Sequence, residues 1–452
     1  MSMKYLVGLD IGTSSVKGVL MTTQGEIRAK AHESFPYDKL PNGGLEVKAD
    51  NFLNACLKAI KTLIAAANGG EVCGICAASA SGNLVVLDKD MNPSTAVINW
   101  QDKRVTTEGH EILGELDLDA LYRRMGWPFW YTGMPLAQLA YIRKHNPEIL
   151  DNAGMVCMST EFLYHALTGK WGISTSAGTP FYLIDQVKGA YIPEILEKLG
   201  IDESILPPVM KAGEVLGVTT DAIAARAGIP AGIPVVLGTF DHPSAARGVG
   251  VLEEGQLLLS CGTSWVGFFP VQSRDKIAAA KTLIDPFLSD DGGCWATMVS
   301  VSSLSARIKL YVNRYIDDSS RAFKVFREVA EKSVSGAGGL VINPQDEPDD
   351  ERIKAYSKEH IARAIMEGTV RLLKAELDIL KEHGITANSA IMVGGPSENP
   401  MWLTVIKEIC GISVKVIHGE VAGAVGAAML AGIGVGEYKD IAHAQSICMP
   451  KA

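Results

Sequence analysis

Residues 8–20 read GLDIGTSSVKGVL, and residues 256–269 read QLLLSCGTSWVGFF. In each, an apolar run breaks at Gly-Thr-Ser and resumes as a second apolar run, the pattern of a strand, a tight turn and a strand. One such hairpin is ordinary turn chemistry. Two of them, each opening a half of the 452-residue chain, indicate a duplicated α/β domain.

Outward from the first hairpin, Asp50 is placed to cap a helix whose Leu53, Leu57, Ile60 and Ile64 recur at three- and four-residue spacing. A buried strand follows over 72–78. In the second half, Ser357 is placed to cap a long helix with Ile361, Ile365, Leu372 and Leu380 on its apolar side, closed by Gly384. A strand over 390–393, a helix over 399–410, a strand over 414–417 and a small-residue helix from about residue 420 complete the chain. That βαβα order predicts largely parallel sheets with helices on their faces. The expected fold is therefore α/β, in two related domains, 1–246 and 247–452. No linker marks the boundary; the second hairpin places it. Residues 105–235 have no counterpart in the second half and are expected to form an insertion beside the substrate.

The charge balance narrows the partners. With 42 basic and 51 acidic residues, a net charge of −9 and no basic run, nothing offers a footprint to a phosphate backbone, so nucleic acid is excluded and a small molecule is expected. The most apolar late stretch, 421–436, falls short of the roughly 20 residues of a membrane span and reads as a packed core helix, so no membrane partner is expected. Eight scattered cysteines fit reduced thiols in the cytoplasm. Cys73 and Cys76 form a CxxC inside a strand-like run, with no second pair at ligand spacing, and predict no metal site.

There is no GxxxxGK[ST] and no GxGxxG following a strand. The two bends remain as phosphate binders. Gly12 and Gly262 would let the backbone approach an anion, and Thr13, Ser14 and Thr263 offer N–H and hydroxyl donors. A plain β-turn is the alternative for each bend alone. Asp10, two residues before the first bend, is a candidate ligand for Mg²⁺. Asp241 follows an apolar strand, at the edge where α/β folds bind ligands, and is placed to take a proton from an attacking hydroxyl. Its position before Pro243 equally suits a helix N-cap. His242 reads as a local hydrogen-bonding residue. Trp100, Asp102 and Arg104 combine an aromatic face, an acceptor and a forked donor, a mixture suited to sugars, with a salt-bridged surface turn as the alternative. The cluster Trp127, Phe129, Trp130 and Tyr131 reads as core or pocket wall. Gly394, Gly395, Pro396 and Asn399 form a strand-end turn over which a flat base could lie, or a plain helix start.

Together these residues resemble the FGGY family of carbohydrate kinases. The resemblance runs through GLDIGTSSVKGVL at 8–20, WQDKR at 100–104, LTG at 167–169 and GTFDHPSAARGVG at 238–250. It continues through SCGTSW at 260–265, RAIMEG at 363–368, GGPSENPMW at 394–402 and AGAVGAAMLAGIGVG at 422–436. It implies two actin-like (ribonuclease H-like) domains with ATP and a sugar in the cleft between them. Asp241 would be the general base and Asp10 a magnesium-associated carboxylate. Gly12, Thr13, Ser14, Gly262 and Thr263 would contact phosphates, Gly395, Pro396 and Asn399 would flank the adenosine, and Trp100, Asp102 and Arg104 would belong to the sugar side. Where members acting on xylulose carry Met-His-Gly, this chain has Ser81-Gly82-Asn83. The resemblance thus carries no implication of D-xylulose, and Ser81 and Asn83 stand where that contact would be. The stretch after Gly339 also lacks the family's Gly-Glu-Arg-x-Pro segment.

The expected activity is ATP-dependent, Mg²⁺-requiring phosphorylation of a hydroxyl on a small sugar, a ketose such as a pentulose or hexulose. A homodimer is admitted, but no motif marks it. The rival is an actin-like nucleotide-binding sensor or assembly protein without sugar chemistry. The twin bends suit both; Asp241 and the Trp100–Arg104 cluster favour the kinase.

Overall fold

The structure is a computed structural model that describes residues 3–80, 82–105, 107–114, 116–128, 133–262, 264–348, 350–417 and 419–449. The chain divides into two compact units. The first comprises Met1–Gly250, Ile284–Gly292 and Val421–Ala452; the second comprises Val251–Leu283 and Gly293–Glu420. The opening stretch of the first unit ends four residues beyond the expected boundary at 246, and the chain then re-enters that unit twice.

Both units are built on the same sheet. In the first, β1 (Lys4–Ile11), β2 (Ser15–Thr22), β3 (Ile27–Ser34), β4 (Glu71–Ser79), β5 (Val215–Val218) and β6 (Pro234–Val236) lie in the order β5-β6-β4-β1-β2-β3. In the second, β7 (Gly255–Cys261), β8 (Trp265–Val271), β9 (Trp295–Val301), β10 (Ala387–Val393) and β11 (Ser413–Val416) lie in the order β9-β8-β7-β10-β11. In each sheet the first three strands in sequence are antiparallel; β4 and β6 of the first sheet and β10 and β11 of the second join in parallel, and β5 closes the first sheet antiparallel to β6. The sheets are thus mixed, not largely parallel, because each opens on an antiparallel hairpin to which a third strand adds antiparallel, through a short turn in the first unit and through residues 272–294 in the second.

The helices follow the apolar periodicities. α1 (Ala49–Ala65) buries Phe52, Leu53, Leu57, Ile60 and Leu63. Asp50 is not its cap; Lys48 holds that position without a side-chain bond, and Asp50 sits in the first turn, where a negative charge suits the helix dipole. In chain order come α2 (Ser159–Thr168), α3 (Asp241–Val249), α4 (Leu304–Tyr315), α5 (Ala322–Ala330), α6 (Lys358–Glu382), α7 (Met401–Cys410) and α8 (Ala422–Gly434). Ser357 caps α6 as expected, its hydroxyl accepting from the His360 N–H at 3.3 Å. Leu373 rather than Leu372 is buried on that helix, because the apolar face turns by one residue.

α8 explains why the C-terminal stretch belongs to the first unit. A Cβ on Gly8 of β1 would collide with the Ala424 carbonyl, one on Gly248 of α3 with the Ala422 carbonyl, and one on Gly426 of α8 with the Ser244 carbonyl. Backbone thus meets backbone at three places that admit no side chain. The helix is the packed core element expected of its composition. A second sheet in the first unit, of five strands, was not legible in the sequence. It joins Asp38–Lys39, Leu45–Val47, Val97–Ile98, Leu84–Asp88 and Ala153–Met158, and three of its strands, of two or three residues, are too short for alternation to show.

Candidate active site

The parallel strands β1, β4 and β6 bring three chain ends to one edge of the first sheet. Ile11 accepts from the Ala80 N–H at 2.8 Å, and the segment after β6 lies along β4 through Thr239 O, which accepts from the Ser79 N–H at 3.3 Å. Tyr164 of α2 staples this edge: its hydroxyl donates to Ala77 O at 2.9 Å and accepts from the Gly238 N–H at 2.9 Å. Gly238 has no room for a side chain, since a Cβ would collide with the Ala77 carbonyl. Asp10 and Asp241 consequently leave the sheet at the same edge.

Asp241 is the first residue of α3, and Phe240, not Asp241, occupies the N-cap position. Its Oδ1 accepts from the His242 N–H at 2.7 Å and meets His242 Nδ1 at 2.7 Å. The carboxylate is thus turned to its neighbour rather than to the helix end, which removes the N-cap reading. Burial pushes the Asp10 carboxyl up to about 7, reinforced by the nearby Asp241 and opposed by Lys17 and His242. Burial lowers the His242 imidazole, but the carboxylates of Asp241 and Asp10 outweigh it, and the net shift is upward. Gly423 of α8 lies against Asp10, where a Cβ would stand 2.7 Å from the carboxyl. Trp127, Tyr182 and Phe240 form a wall beside this group, with ring centroids 5.5 and 6.0 Å from Trp127, and Phe240 lies 5.5 Å from the His242 ring.

The Trp100–Arg104 turn is a tied structure. Asp102 is buried, and its oxygens accept from the N–H groups of Leu45 (2.8 Å) and Arg104 (2.9 Å) and from the Arg104 guanidinium (2.8 Å). Arg104 also reaches Glu46 at 3.0 Å. Asn83 is buried too; its Oδ1 accepts from the Trp100 N–H at 3.2 Å. Asn83 and Asp102 therefore shape the turn, and Trp100, Gln101, Asp102 and Lys103 line a hollow of about 740 Å³ that also takes in Lys39, Gly133 and Met134.

In the first bend, the Gly12 N–H donates to Ser15 O at 2.9 Å, and Thr13 and Ser14 lie outward of it. In the second unit, the Gly262 N–H donates to Ser264 O at 3.1 Å. Gly394, at φ +104°, passes so near the Cys261 carbonyl that a Cβ would collide with it, which sets the Gly395 turn beside the second bend. Gly395, Pro396 and Asn399 line a cavity of about 760 Å³ with Phe323, Arg327 and Trp402. Asn399 is buried; its Oδ1 accepts from the Met401 N–H at 3.0 Å, and its Nδ2 has no partner among the described residues. Ser81 and Thr263, and the cluster members Phe129, Trp130 and Tyr131, lie outside the described residues.

Cys73 and Cys76 are free and buried, and among the described residues no group of three or more His, Cys, Asp or Glu could hold a metal. No helix among the described residues is long and apolar enough to cross a membrane. Two residues that shape the site were missed in sequence: Gly423 and Tyr164. Gly423 sits inside a quoted motif, but only its neighbours in space give it a role.

The N-terminal domain of the FGGY family of carbohydrate kinases matches residues 5–248, and its C-terminal domain matches residues 257–435. The chain belongs to the FGGY family of carbohydrate kinases. It is 24% identical over 457 residues to a xylulose kinase of Bacillus subtilis (strain 168), covering 97% of this chain and 90% of that protein. It is 26% identical over 462 residues to the L-xylulose/3-keto-L-gulonate kinase of Escherichia coli (strain K12), covering 98% and 90%. The crystal structure of xylulose kinase from Rhodospirillum rubrum superimposes with a TM-score of 0.89 at 22% identity, covering 98% of this chain and 92% of that one. The fold is the actin-like two-domain fold of FGGY sugar kinases, and the protein is a carbohydrate kinase, a transferase.

Proposed function

We propose that this kinase transfers the γ-phosphoryl group of ATP to a hydroxyl of a small ketose, a pentulose or hexulose, with Asp241 as general base. The observation that carries the reading is the pairing of Asp241 with His242 beside Asp10 at one sheet edge. Bonding to His242 occupies Oδ1 of Asp241 and leaves Oδ2 for the proton of the acceptor hydroxyl. The ketose preference rests on the relatives named for xylulose and for L-xylulose/3-keto-L-gulonate. Trp100 would lie under the sugar, on a turn stiffened by Asp102, Arg104 and Asn83.

On the nucleotide side, the adenosine would rest against Gly395 and Pro396, with the unpartnered Nδ2 of Asn399 as a donor to the base. The Gly12–Ser14 and Gly262–Thr263 bends would supply N–H groups to phosphate oxygens. Two neighbouring carboxylates, one of them half-buried and pushed toward neutrality, fit Mg²⁺, which binds through one or two carboxylates plus waters and phosphates. Asp10 would hold it, and when bound it would neutralise phosphate charge.

Asp241→Asn should fold normally and lower kcat by roughly 10²- to 10⁴-fold, the usual contribution of a positioned general base. ADP release with a panel of ketoses, aldoses and polyols measures this and identifies the sugar. Near-normal turnover by the variant would remove Asp241 from the chemistry. Hydrolysis independent of every sugar would favour the actin-like sensor instead.

A further inference from the structure

Between the helix Arg274–Ala280 and β9, nine residues, Ile284–Gly292, pack with the first unit although the chain on either side of them belongs to the second. This strap is tied down along its length. The Ile284 N–H donates to Gly126 O at 2.6 Å, and Gln186 Nε2 donates to Ile284 O at 2.7 Å. Ser176 Oγ donates to Asp285 Oδ2 at 2.9 Å, and Thr175 Oγ1 to Asp290 Oδ2 at 3.1 Å. Ile284, Asp285 and Phe287 are buried.

The strap meets α3 at Arg247. This arginine is only 3% exposed, and its guanidinium lies 4.8 Å above the Phe287 ring. One arm of the fork, Nη2, donates to the Phe287 carbonyl at 2.5 Å; the other, Nη1, donates to the Pro243 carbonyl at 3.2 Å, in the first turn of α3 two residues after Asp241. A buried guanidinium carries a desolvation penalty that an apolar side chain of similar volume would not. What it supplies instead is direction, since a planar fork spans two acceptors at a fixed separation. The adjacent face of α3, within about 100° round the helix, is fixed by backbone contact with α8 and by Ser244 Oγ, which donates to Gly423 O at 2.8 Å.

We propose that Arg247, held by the Asp285–Phe287 part of the strap, is a positioning residue that fixes the first turn of α3 and thereby the direction of the Asp241 carboxylate. This rests on the reading of Asp241 as the base, and the test separates the two. Arg247→Met keeps the volume and removes both bonds. In the full-length enzyme it should lower kcat by roughly 10- to 100-fold, with the KM for ATP within about twofold and the melting temperature near that of the parent. Phe287→Leu, which keeps the carbonyl and removes only the ring, should lower kcat by several-fold and serves if Arg247→Met does not fold.

The deciding measurement is a double-mutant cycle with Asp241→Asn. A residue that acts through Asp241 adds little once that carboxylate is gone, so the double variant should match Asp241→Asn within about twofold. If the strap variants turn over like the parent while Asp241→Asn is inactive, the inference fails and the base stands. If they lower the residual turnover of Asp241→Asn by their full factor, the role is not exerted through Asp241 and the inference fails as well. An active Asp241→Asn would instead sink the base.

Discussion

The Gly12 and Gly262 bends share a strand-bend-strand pattern and differ in chemistry. Both close an antiparallel hairpin at the same place in equivalent sheets, yet the residue two positions before the glycine is Asp10 in one and Ser260 in the other. Across the ladder Asp10 faces Lys17, whereas Ser260 faces Val266. The first bend is backed by Gly423 of α8. The second is held by hydroxyls: Ser264 Oγ accepts from the Ser303 N–H at 3.2 Å, and Ser305 Oγ donates to Gly262 O. The two units thus share the backbone bend, and only the first carries an ionisable residue beside it. A carboxylate beside a phosphate-binding bend repels the phosphate unless a cation neutralises it, so the difference between Asp10 and Ser260 predicts different roles for the two bends.

The largest test of the comparison exchanges the two equivalent positions. Asp10→Asn should lower kcat/KM by roughly 10²- to 10³-fold, the scale of losing one charged group at a phosphoryl-transfer centre, while Ser260→Ala should stay within about threefold. Equal losses in steady-state assays would show that the bends share one role. The next test concerns the backing. Gly423→Ala drives a methyl against Asp10 and should lower turnover about tenfold, with a stability loss of about 1–3 kcal/mol from overpacking. At Gly262 the nearest atom to an added Cβ is Ser264 O at 3.9 Å, so Gly262→Ala should leave stability within about 0.5 kcal/mol and show its effect in the KM for ATP. Thermal melts beside kinetics decide this.

The smallest test extends the contrast to buried carboxyls away from the bends. Glu161 of the first unit is pushed up to about 8 by burial, opposed by backbone hydrogen bonds, and its Oε1 has no partner among the described residues. Its folded value stands above the unfolded one, so its contribution to stability is present below pH 4.5 and is lost as pH rises through about 8. Glu367 of the second unit is buried as well, but Arg363 at 2.7 Å and Arg371 at 2.7 Å hold it below the usual range. Its contribution is present above pH 4.5 and lost as pH falls through its folded value. Glu161→Gln should therefore flatten the decline of melting temperature toward pH 9, and Glu367→Gln the decline toward pH 3. Unchanged pH profiles in both variants would contradict the assignments.

Much of the site was legible because its residues work locally. Gly12, Asp241, Gly395 and Asn399 each belong to a turn or helix start that a few neighbouring residues specify. Asn83 and Asp102 are expected sugar contacts, and the structure adds a local role: Asn83 Oδ1 accepts from Trp100, and the Asp102 oxygens accept from Leu45 and Arg104. Their partners at Trp100 and Leu45 lie 17 and 57 residues away, and no local pattern announces them.

The amino-acid sequence by itself determined that two strand-bend-strand units recur, that helices of stated length lie between strands, and that Asp10 and Asp241 follow strands, because turn chemistry and apolar periodicity act over a few residues. The tertiary structure alone decided that the two carboxylates share an edge, that α8 returns to the first unit, and that Arg247 is gripped by the Ile284–Gly292 strap. Those facts depend on which backbones can approach closely and which buried donors find acceptors, and both are settled by segments far apart in the chain.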